Sequence, residues 1–184
     1  MQTIETVLKG VMILEFEVFD DSRGYFFESY NKQWYAEFGI KADFVQSMQS
    51  KSKKNTIRGL HYQVEPNGQS KLIHVLRGEI LDVIVDIRFG SPTFGKHIAI
   101  ELNESIKKQV WIPLGFAHGF SVLSESAEVA YMVSSLHSKM NERGILYNDP
   151  ILNIDWKVSN PNLSKKDLKN KQFHEIDCDY VYNN

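Results

Sequence analysis

Two neighbouring segments combine residue types that suit acid–base chemistry. They read Thr56-Ile57-Arg58-Gly59-Leu60-His61-Tyr62-Gln63 and Gln69-Ser70-Lys71-Leu72. Because side chains alternate along a strand, His61 and Gly59 share one face, and Gly59 is expected to leave room there for a ligand. An imidazole exchanges protons near neutral pH, and the cations Arg58 and Lys71 suit negative charge on oxygen. The pattern fits removal of a carbon-bound proton, and it also fits a core histidine with two surface cations.

The chain as a whole has the composition of an ordinary globular protein. It has 184 residues, of which 42% are hydrophobic and 24% charged, and this predicts one domain over residues 1–184. The net charge of -2 gives no reason to expect nucleic acid or a membrane surface as a partner. The sequence shows neither a signal-peptide pattern nor an apolar run of membrane-span length. Cys178 is the sole cysteine, so no internal disulfide can form and a cytoplasmic location is expected.

Most of the chain alternates apolar and polar residues with a period of two, which is typical of strands. Such runs cover residues 12–18, 25–30, 71–75, 80–87, 98–102 and 129–133. Arg77-Gly78 predicts a hairpin turn between the third and fourth runs. A helix is expected over 31–38, capped by Asn31, and short helices around 165–169. Many short strands separated by glycine and proline predict an all-β sandwich or barrel.

A further motif, Pro113-x-Gly115-x-x-His118, resembles the second half of the cupin metal signature. The expected fold is therefore a cupin-type double-stranded β-helix, or jelly roll, with a few short helices. The stretch that corresponds to the first half has one imidazole, His61, where that signature has two. Transition-metal sites use three or four ligands, and nothing in the spacing requires His61, His118 and Glu65 to form one. Acid–base chemistry without a metal is therefore expected.

Several less common blocks follow one another from about residue 10 to about residue 170. They include Asp21-Ser22-Arg23-Gly24-x-Phe26-x-Glu28, Arg58-Gly59-Leu60-His61-Tyr62-Gln63, Ser91-Pro92-Thr93-Phe94-Gly95, Ile112-Pro113-x-Gly115-Phe116-Ala117-His118-Gly119-Phe120 and Leu163-Ser164-x-Lys166-Asp167. In kind and order these blocks resemble the dTDP-4-dehydrorhamnose 3,5-epimerases. The resemblance implies a cupin-fold, metal-independent isomerase without a cofactor, which is a homodimer and acts on a nucleotide-diphosphate-linked 4-keto sugar.

The resemblance also implies roles for individual residues. His61 matches the base, Asp167 matches the carboxylate that orients it, and Lys71 matches the cation near the sugar O4. Tyr131 matches the acid that returns a proton to the opposite face. Contacts with the sugar, the diphosphate or the base are implied for Arg23, Glu28, Gln46, Arg58, His118, Glu142 and Lys166. Taken singly, Asp167 also fits a solvated charge or helix cap, Tyr131 a core aromatic, and His118 a residue that holds a turn.

Some positions depart from the family pattern. Met48 stands where an amide is usual. Met132, Leu136 and His137 stand where a lysine and a pair of tyrosines are usual. Because losing a stacking platform removes about 1 kcal/mol of binding, recognition is expected to differ while catalysis is retained. The sequence therefore predicts the same reaction on either a GDP-4-keto-heptose or a dTDP-4-keto-6-deoxyhexose, in capsule or other surface polysaccharide biosynthesis.

Three alternatives stay open from the sequence. One is a metal-dependent cupin enzyme, and another is a cupin that binds a sugar nucleotide without catalysis. The third is a sugar 3,4-ketoisomerase on the same shell. Within the epimerase interpretation, inversion at C3, at C5 or at both is left open. For the homodimer, residues 4–9 are the segment expected to supply an exchanged strand, because an exposed sheet edge is a pairing surface.

Overall fold

A computed structural model describes residues 2–182 of the chain. The strands in chain order are β1 (Gln2–Glu5), β2 (Met12–Glu15), β3 (Phe19–Asp21), β4 (Gly24–Phe26), β5 (Gln46–Lys53), β6 (Ile57–Gln63), β7 (Lys71–Arg77), β8 (Glu79–Asp86), β9 (His97–Asn103), β10 (Lys108–Ile112), β11 (Phe116–Val122), β12 (Ser126–Val133) and β13 (Glu142–Gly144). The helical elements are α1 (Lys32–Glu37) and two 3-10 turns, Asp167–Lys169 and Phe173–Glu175.

Two antiparallel sheets form the body of the fold. In the first sheet the strand order is β1-β2-β10-β7-β12-β5, and in the second it is β13-β6-β11-β8-β9. Strands β3 and β4 pair with each other as a separate ribbon. From β5 to β8, and again from β9 to β12, consecutive strands alternate between the two sheets. This winding is the jelly roll that the sequence predicts, and the all-β class is confirmed.

Buried apolar side chains from both sheets form the core between them. Ile73 and Val129 come from the first sheet, and Ile84 and Phe120 come from the second. The outer face of the second sheet is also buried, because Trp156 and other side chains of the C-terminal part pack against it. Strand β8 is therefore buried on both faces from its second residue onward. Removal of this apolar surface from water is the main term that stabilises the fold.

The predicted hairpin at Arg77-Gly78 is wrong. The turn lies at the predicted place, since β7 ends at Arg77 and β8 begins at Glu79, but the two strands belong to different sheets. Gly78 adopts a φ of 79°, and a Cβ there would lie 2.1 Å from the Ser126 carbonyl oxygen. Only glycine fits this sharp corner. A period of two identifies strands, but it does not show which sheet each strand joins.

The predicted helix is confirmed, and its cap is the expected one. Asn31 accepts hydrogen bonds from the backbone N–H groups of Gln33 and Trp34. Tyr35 is buried, and its hydroxyl donates to Gln109 Oε1 at 2.6 Å, which fixes the helix on the first sheet. The short helix expected around 165–169 is the 3-10 turn Asp167–Lys169. The strand expected over 12–18 ends early, at Glu15.

Strand β1 pairs with β2 of the same chain and lies at the edge of the first sheet. The strand exchange expected for residues 4–9 stays a prediction.

Across residues 2–182, none of the helices combines the length and apolar character that crossing a membrane requires.

Candidate active site

A cavity of about 450 Å³ lies between the two sheets. The first sheet contributes Lys71 and Tyr131 to its wall, and the second contributes His61 and His118. Asp167, from the C-terminal part of the chain, completes the wall. Five residues that the sequence singles out for chemistry therefore meet in one place.

The alternation of β6 directs His61 into this cavity. Its neighbour Leu60 is fully buried in the core on the other side of the sheet, as the period of two requires. The expectation that Gly59 leaves room for a ligand is wrong. A Cβ at Gly59 would lie 2.5 Å from the Cα of Gly119, so the missing side chain admits the neighbouring strand β11 instead.

His61 and Asp167 form a direct pair. The distance from His61 Nε2 to Asp167 Oδ1 is 2.5 Å, and Asp167 is only 3% exposed. The backbone N–H of Asp167 donates to Ser164 Oγ at 3.0 Å, which holds the 3-10 turn in place. Burial opposes charge on Asp167, but its hydrogen bonds with His61 and Ser164 outweigh that effect and keep its pKa below the ordinary value. Asp167 is therefore a buried partner of His61 and not a solvated charge.

Lys71 lies beside this pair. Its Nζ donates to the backbone carbonyl of His61 at 3.1 Å. Burial lowers the pKa of Lys71 to about 8, although the nearby carboxylates of Asp82 and Glu142 act in the opposite direction. At neutral pH the side chain therefore remains an ammonium, but one that loses its proton more readily than a surface lysine.

Tyr131 reaches the cavity from the opposite sheet. Its hydroxyl lies 2.8 Å from Ser50 Oγ on the adjacent strand β5, and its ring packs against Phe120 with centroids 6.4 Å apart. Burial raises the pKa of Tyr131 to about 12, and the Ser50 hydrogen bond and the charge of Arg58 offset part of that rise. The phenol is therefore protonated throughout the neutral range.

A second histidine–carboxylate pair lies behind the first. His118 is directly opposite His61 in the pairing of β11 with β6. Its Nε2 lies 2.6 Å from Asp82 Oδ1, and both residues are buried. Burial lowers the pKa of His118 despite the charge of Asp82. Within residues 2–182, Asp82 Oδ2 is buried without a hydrogen-bond partner.

Charged groups also line the cavity around these pairs. Glu142, on β13, forms ion pairs with Lys166 and with His137, the latter at 3.3 Å. Burial opposes charge on Glu142, but Lys166 and His137 keep its pKa below the ordinary value. Arg58 Nε donates to Ser52 Oγ at 2.9 Å, so its guanidinium is held on the cavity wall. The structure thus brings Arg58, Glu142 and Lys166 to the cavity wall, and their contacts with a ligand stay predictions.

Three predicted contact residues lie elsewhere in this chain. Arg23 is highly exposed on the β3–β4 ribbon and pairs with Asp21 at 2.5 Å. Glu28 is exposed and accepts a hydrogen bond from Asn31. Gln46 begins β5, and its Oε1 is buried without a partner among the described residues. Since none of these three lines the cavity, their contacts with a ligand stay predictions.

Sequence reasoning missed several residues that contact the predicted set. Ser50 contacts Tyr131, Asp82 contacts His118, and Ser164 contacts Asp167. A signal existed for Ser50, because it shares a strand face with Met48, two residues earlier. A signal also existed for Asp82, an acidic residue between buried apolar residues on the inner face of β8.

The donor atoms do not form a metal site in the described part of the chain. Among residues 2–182, no group of three His, Cys, Asp or Glu side chains is arranged to hold a metal ion. His61, His118 and Glu65 in particular do not form such a triad. The Nε2 atom of His61 is instead hydrogen-bonded to Asp167, and that of His118 to Asp82.

Comparison with known proteins identifies the family. The model of the family described as dTDP-4-dehydrorhamnose 3,5-epimerase matches residues 5–175. The chain belongs to this family. A dTDP-4-dehydrorhamnose 3,5-epimerase from Shigella flexneri is 50% identical over 98% of this chain and 99% of that protein. One from Pseudomonas aeruginosa is 45% identical over 97% of this chain and 99% of that protein. Membership makes the chain an isomerase, as the sequence predicts.

Solved structures extend the match to the fold. A dTDP-6-deoxy-D-glucose-3,5-epimerase from Legionella pneumophila, in complex with dTDP-4-keto-L-rhamnose, superposes with a TM-score of 0.95. It is 43% identical, and the match covers 100% of this chain and 99% of that one. A 3'-monoepimerase from Streptomyces bikiniensis, in complex with dTDP-quinovose, has a TM-score of 0.85 at 29% identity and covers 92% and 86% of the two chains.

Proposed function

We propose that this chain is a 3,5-epimerase of a dTDP-linked 4-keto-6-deoxyhexose. One observation carries the proposal: His61 and Tyr131 enter the same cavity from opposite sheets. A base and an acid on opposite sides of a bound sugar are what inversion at carbon needs. The names of the relatives, and the nucleotide sugars in the two solved complexes, support the same substrate class.

The proposed reaction begins at His61. A ketone at C4 acidifies the hydrogens on C3 and C5, and the imidazole takes one of them. With Nε2 bonded to Asp167, Nδ1 is the ring nitrogen left to accept that proton. The Asp167 carboxylate then stabilises the imidazolium that forms, and it keeps the ring from rotating.

Lys71 stabilises the negative charge that develops on the sugar. As the C–H bond breaks, its electron pair moves into an enolate, and negative charge develops on O4. An ammonium held in a buried site stabilises such an oxyanion more than it would in water. The hydrogen bond from Lys71 to the His61 carbonyl places this charge next to the base.

Tyr131 completes the inversion. The enolate carbon takes the phenolic proton from the face opposite His61, and O4 returns to a ketone. His61 is left protonated and Tyr131 deprotonated, so proton exchange with water restores the starting state. For the diphosphate, Arg58 and Lys166 are the cations on the cavity wall, and the planar fork of an arginine binds two oxygens at once.

The experiment is a deuterium-exchange assay. The protein is incubated in deuterated buffer with dTDP-, GDP- and CDP-linked 4-keto sugars, and NMR follows deuterium at C3 and C5. We expect incorporation at both carbons of the dTDP-linked hexose, with inversion. Incorporation at one carbon would make the chain a monoepimerase like the Streptomyces bikiniensis relative. No incorporation into any of the sugars would overturn the proposal.

A GDP-4-keto-heptose is the second candidate substrate. Two residues of the cavity wall favour it. Met48 stands where the family pattern usually has an amide, and His137 stands where it usually has a tyrosine. Leu136 is different, since it is 59% exposed and its contact with Gln63 is made by its backbone carbonyl. The ratio of kcat/KM for the two substrates decides between them.

We also propose that the reaction needs no metal and takes place in the cytoplasm. The support for the first point is that Asp167 and Asp82 are bonded to the two histidines. Activity that survives dialysis against a chelator would agree with this. Activity that a chelator abolishes and one metal ion restores would favour the metal-dependent alternative.

A further inference from the structure

Strand β5 contributes Met48 and Ser50 to the cavity wall, and Ser52 follows them on the same face of the strand. The two serines make different contacts. Ser50 Oγ lies 2.8 Å from the Tyr131 hydroxyl, whereas Ser52 Oγ accepts from Arg58 Nε at 2.9 Å. Ser50 is half-buried and belongs to the cavity wall.

We propose that Ser50 is a positioning residue for Tyr131 that donates a hydrogen bond to the phenolate formed when Tyr131 gives up its proton. The inference rests on the proposed role of Tyr131 as the acid. Ser50 has no other role in the proposed reaction.

The proton balance of the step shows why such a donor is needed. The O–H bond of Tyr131 breaks, and its proton forms a C–H bond with the electron pair of the enolate. Tyr131 then carries a full negative charge until water returns a proton to it. An unpaired charge in a buried site is costly, so a donor at the phenolate oxygen lowers the barrier of this step.

A serine hydroxyl suits both states of the phenol. Before the transfer it accepts a hydrogen bond from the protonated Tyr131, and after the transfer it rotates and donates one to the phenolate. A hydrogen bond to an ionised oxygen is about twice as strong as a neutral one, so the contact is stronger after the transfer than before it. Only an interaction that strengthens along the reaction accelerates it.

The other groups that face Tyr131 do not replace Ser50. Phe120 packs against the ring and offers no donor. The charge of Arg58 favours the phenolate, but its Nε is bonded to Ser52. The charge of Asp82 acts against the phenolate. In the described part of the chain, Ser50 is the side chain within hydrogen-bond distance of the Tyr131 hydroxyl.

The first test compares Ser50→Ala with Ser50→Thr, which keeps the hydroxyl. In deuterated buffer, a proton lost to His61 is replaced either with inversion or, when reprotonation from the far side fails, with retention. We expect Ser50→Ala to lower the ratio of inverted to retained deuterated sugar by about 10- to 100-fold. Ser50→Thr, which keeps a hydroxyl, is expected to retain most of the wild-type ratio. An unchanged ratio in Ser50→Ala would overturn the proposal.

Two control variants separate this effect from damage to the strand. Ser47→Ala removes an exposed hydroxyl from the opposite face of β5, and we expect it to leave the ratio and the activity unchanged. Ser52→Ala is expected to raise KM through Arg58 without changing the ratio. If Ser52→Ala lowered the ratio as much as Ser50→Ala does, the specific role of Ser50 would be wrong.

A second test does not depend on turnover. The protein carries 3-fluorotyrosine at position 131, whose fluorine makes the phenol a stronger acid, and ¹⁹F NMR follows its titration. We expect Ser50→Ala to raise the pKa of this phenol by about 1, since the donor to the phenolate is removed. An unchanged pKa would overturn the proposal. Because this readout needs no substrate, failure of the proposed function and failure of this inference are told apart.

Discussion

Asp167 Oδ1 lies 2.5 Å from His61 Nε2, although the two residues are 106 positions apart in the sequence. The contact joins the C-terminal part of the chain to strand β6 at the wall of the cavity. Because Asp167 is buried in a 3-10 turn, its position depends on how that part of the chain packs against the outer face of the second sheet. The packing of the C-terminal part is therefore coupled to the orientation of the proposed base.

The first prediction concerns this pair. His61→Asn is expected to lower deuterium exchange at both carbons by about 10²- to 10⁴-fold or more, because the base initiates the reaction. Asp167→Asn is expected to lower it less. Since the two residues act as one unit, the double variant is expected to be about as slow as His61→Asn alone. Near-normal exchange in His61→Asn would exclude this assignment.

The second prediction concerns Lys71 and pH. The lowered pKa of about 8 means that Lys71 is an ammonium below that pH and neutral above it. Since the charged form stabilises the oxyanion and this pKa belongs to the free protein, kcat/KM is expected to fall as the pH rises through about 8. Lys71→Met is expected to lower kcat by about 10²- to 10³-fold at pH 7. A pH–rate profile of the wild type tests the first part, and a flat profile from pH 7 to 9.5 would contradict it.

The third prediction concerns Tyr131. If Tyr131 delivers the proton from the far side, Tyr131→Phe is expected to impair inversion more than proton loss. The measurement is release of a labelled substrate hydrogen beside formation of the epimer, with Ser47→Ala as the matched control. Equal loss of both signals would leave Tyr131 as a packing or binding residue.

Asp167 and Arg23 show how much of the candidate site the sequence alone predicts. The family resemblance implies that Asp167 pairs with His61, and the structure brings the two side chains together. The same resemblance implies a ligand contact for Arg23, which pairs with Asp21 on an exposed ribbon of this chain, and that contact stays a prediction. A motif identifies a residue type and a place in the sequence. It does not show where an exposed ribbon such as β3–β4 lies, because few buried contacts fix its position.

Gly78 and Ser50 show two further limits. Gly78 predicts a turn from its type alone, but the sheet that each flanking strand joins depends on packing partners far along the sequence. Ser50 is one serine among several in β5, and only the pairing of β5 with β12 brings it to Tyr131. Alternation predicts the face on which a side chain lies, whereas its partner across the sheet depends on strand order and register.

The fourth prediction is that the protein is a homodimer. Phe19, Tyr25 and Phe26 on the β3–β4 ribbon are each more than half exposed, and burial of such rings against a second copy would be favourable. Light scattering at micromolar concentration is expected to give about twice the 21.3 kDa mass of the chain. Phe26→Asp is expected to shift the equilibrium toward the monomer. A monomeric wild type would contradict the prediction.

The fifth prediction concerns Met48 and the choice of substrate. Met48, on β5, lies on the cavity wall and is directly opposite Tyr131 in the pairing of β5 with β12. A thioether cannot donate the hydrogen bonds of an amide, and each hydrogen bond that a bound sugar fails to make costs about 1 kcal/mol of binding free energy. If the dTDP-linked hexose is the substrate, Met48→Asn is expected to raise its kcat/KM by about fivefold.

The comparison with a GDP-4-keto-heptose makes this result specific. If the methionine is instead adapted to a larger sugar, Met48→Asn is expected to lower kcat/KM for the heptose while it raises that for the hexose. Met132 also departs from the family pattern, but its side chain packs in the core beside α1 and does not line the cavity. Met132→Leu is therefore the matched control and is expected to leave the ratio of the two values unchanged. A wild type that prefers the dTDP-linked hexose by tenfold or more, with a ratio that Met48→Asn does not alter, would show that Met48 has no part in substrate choice.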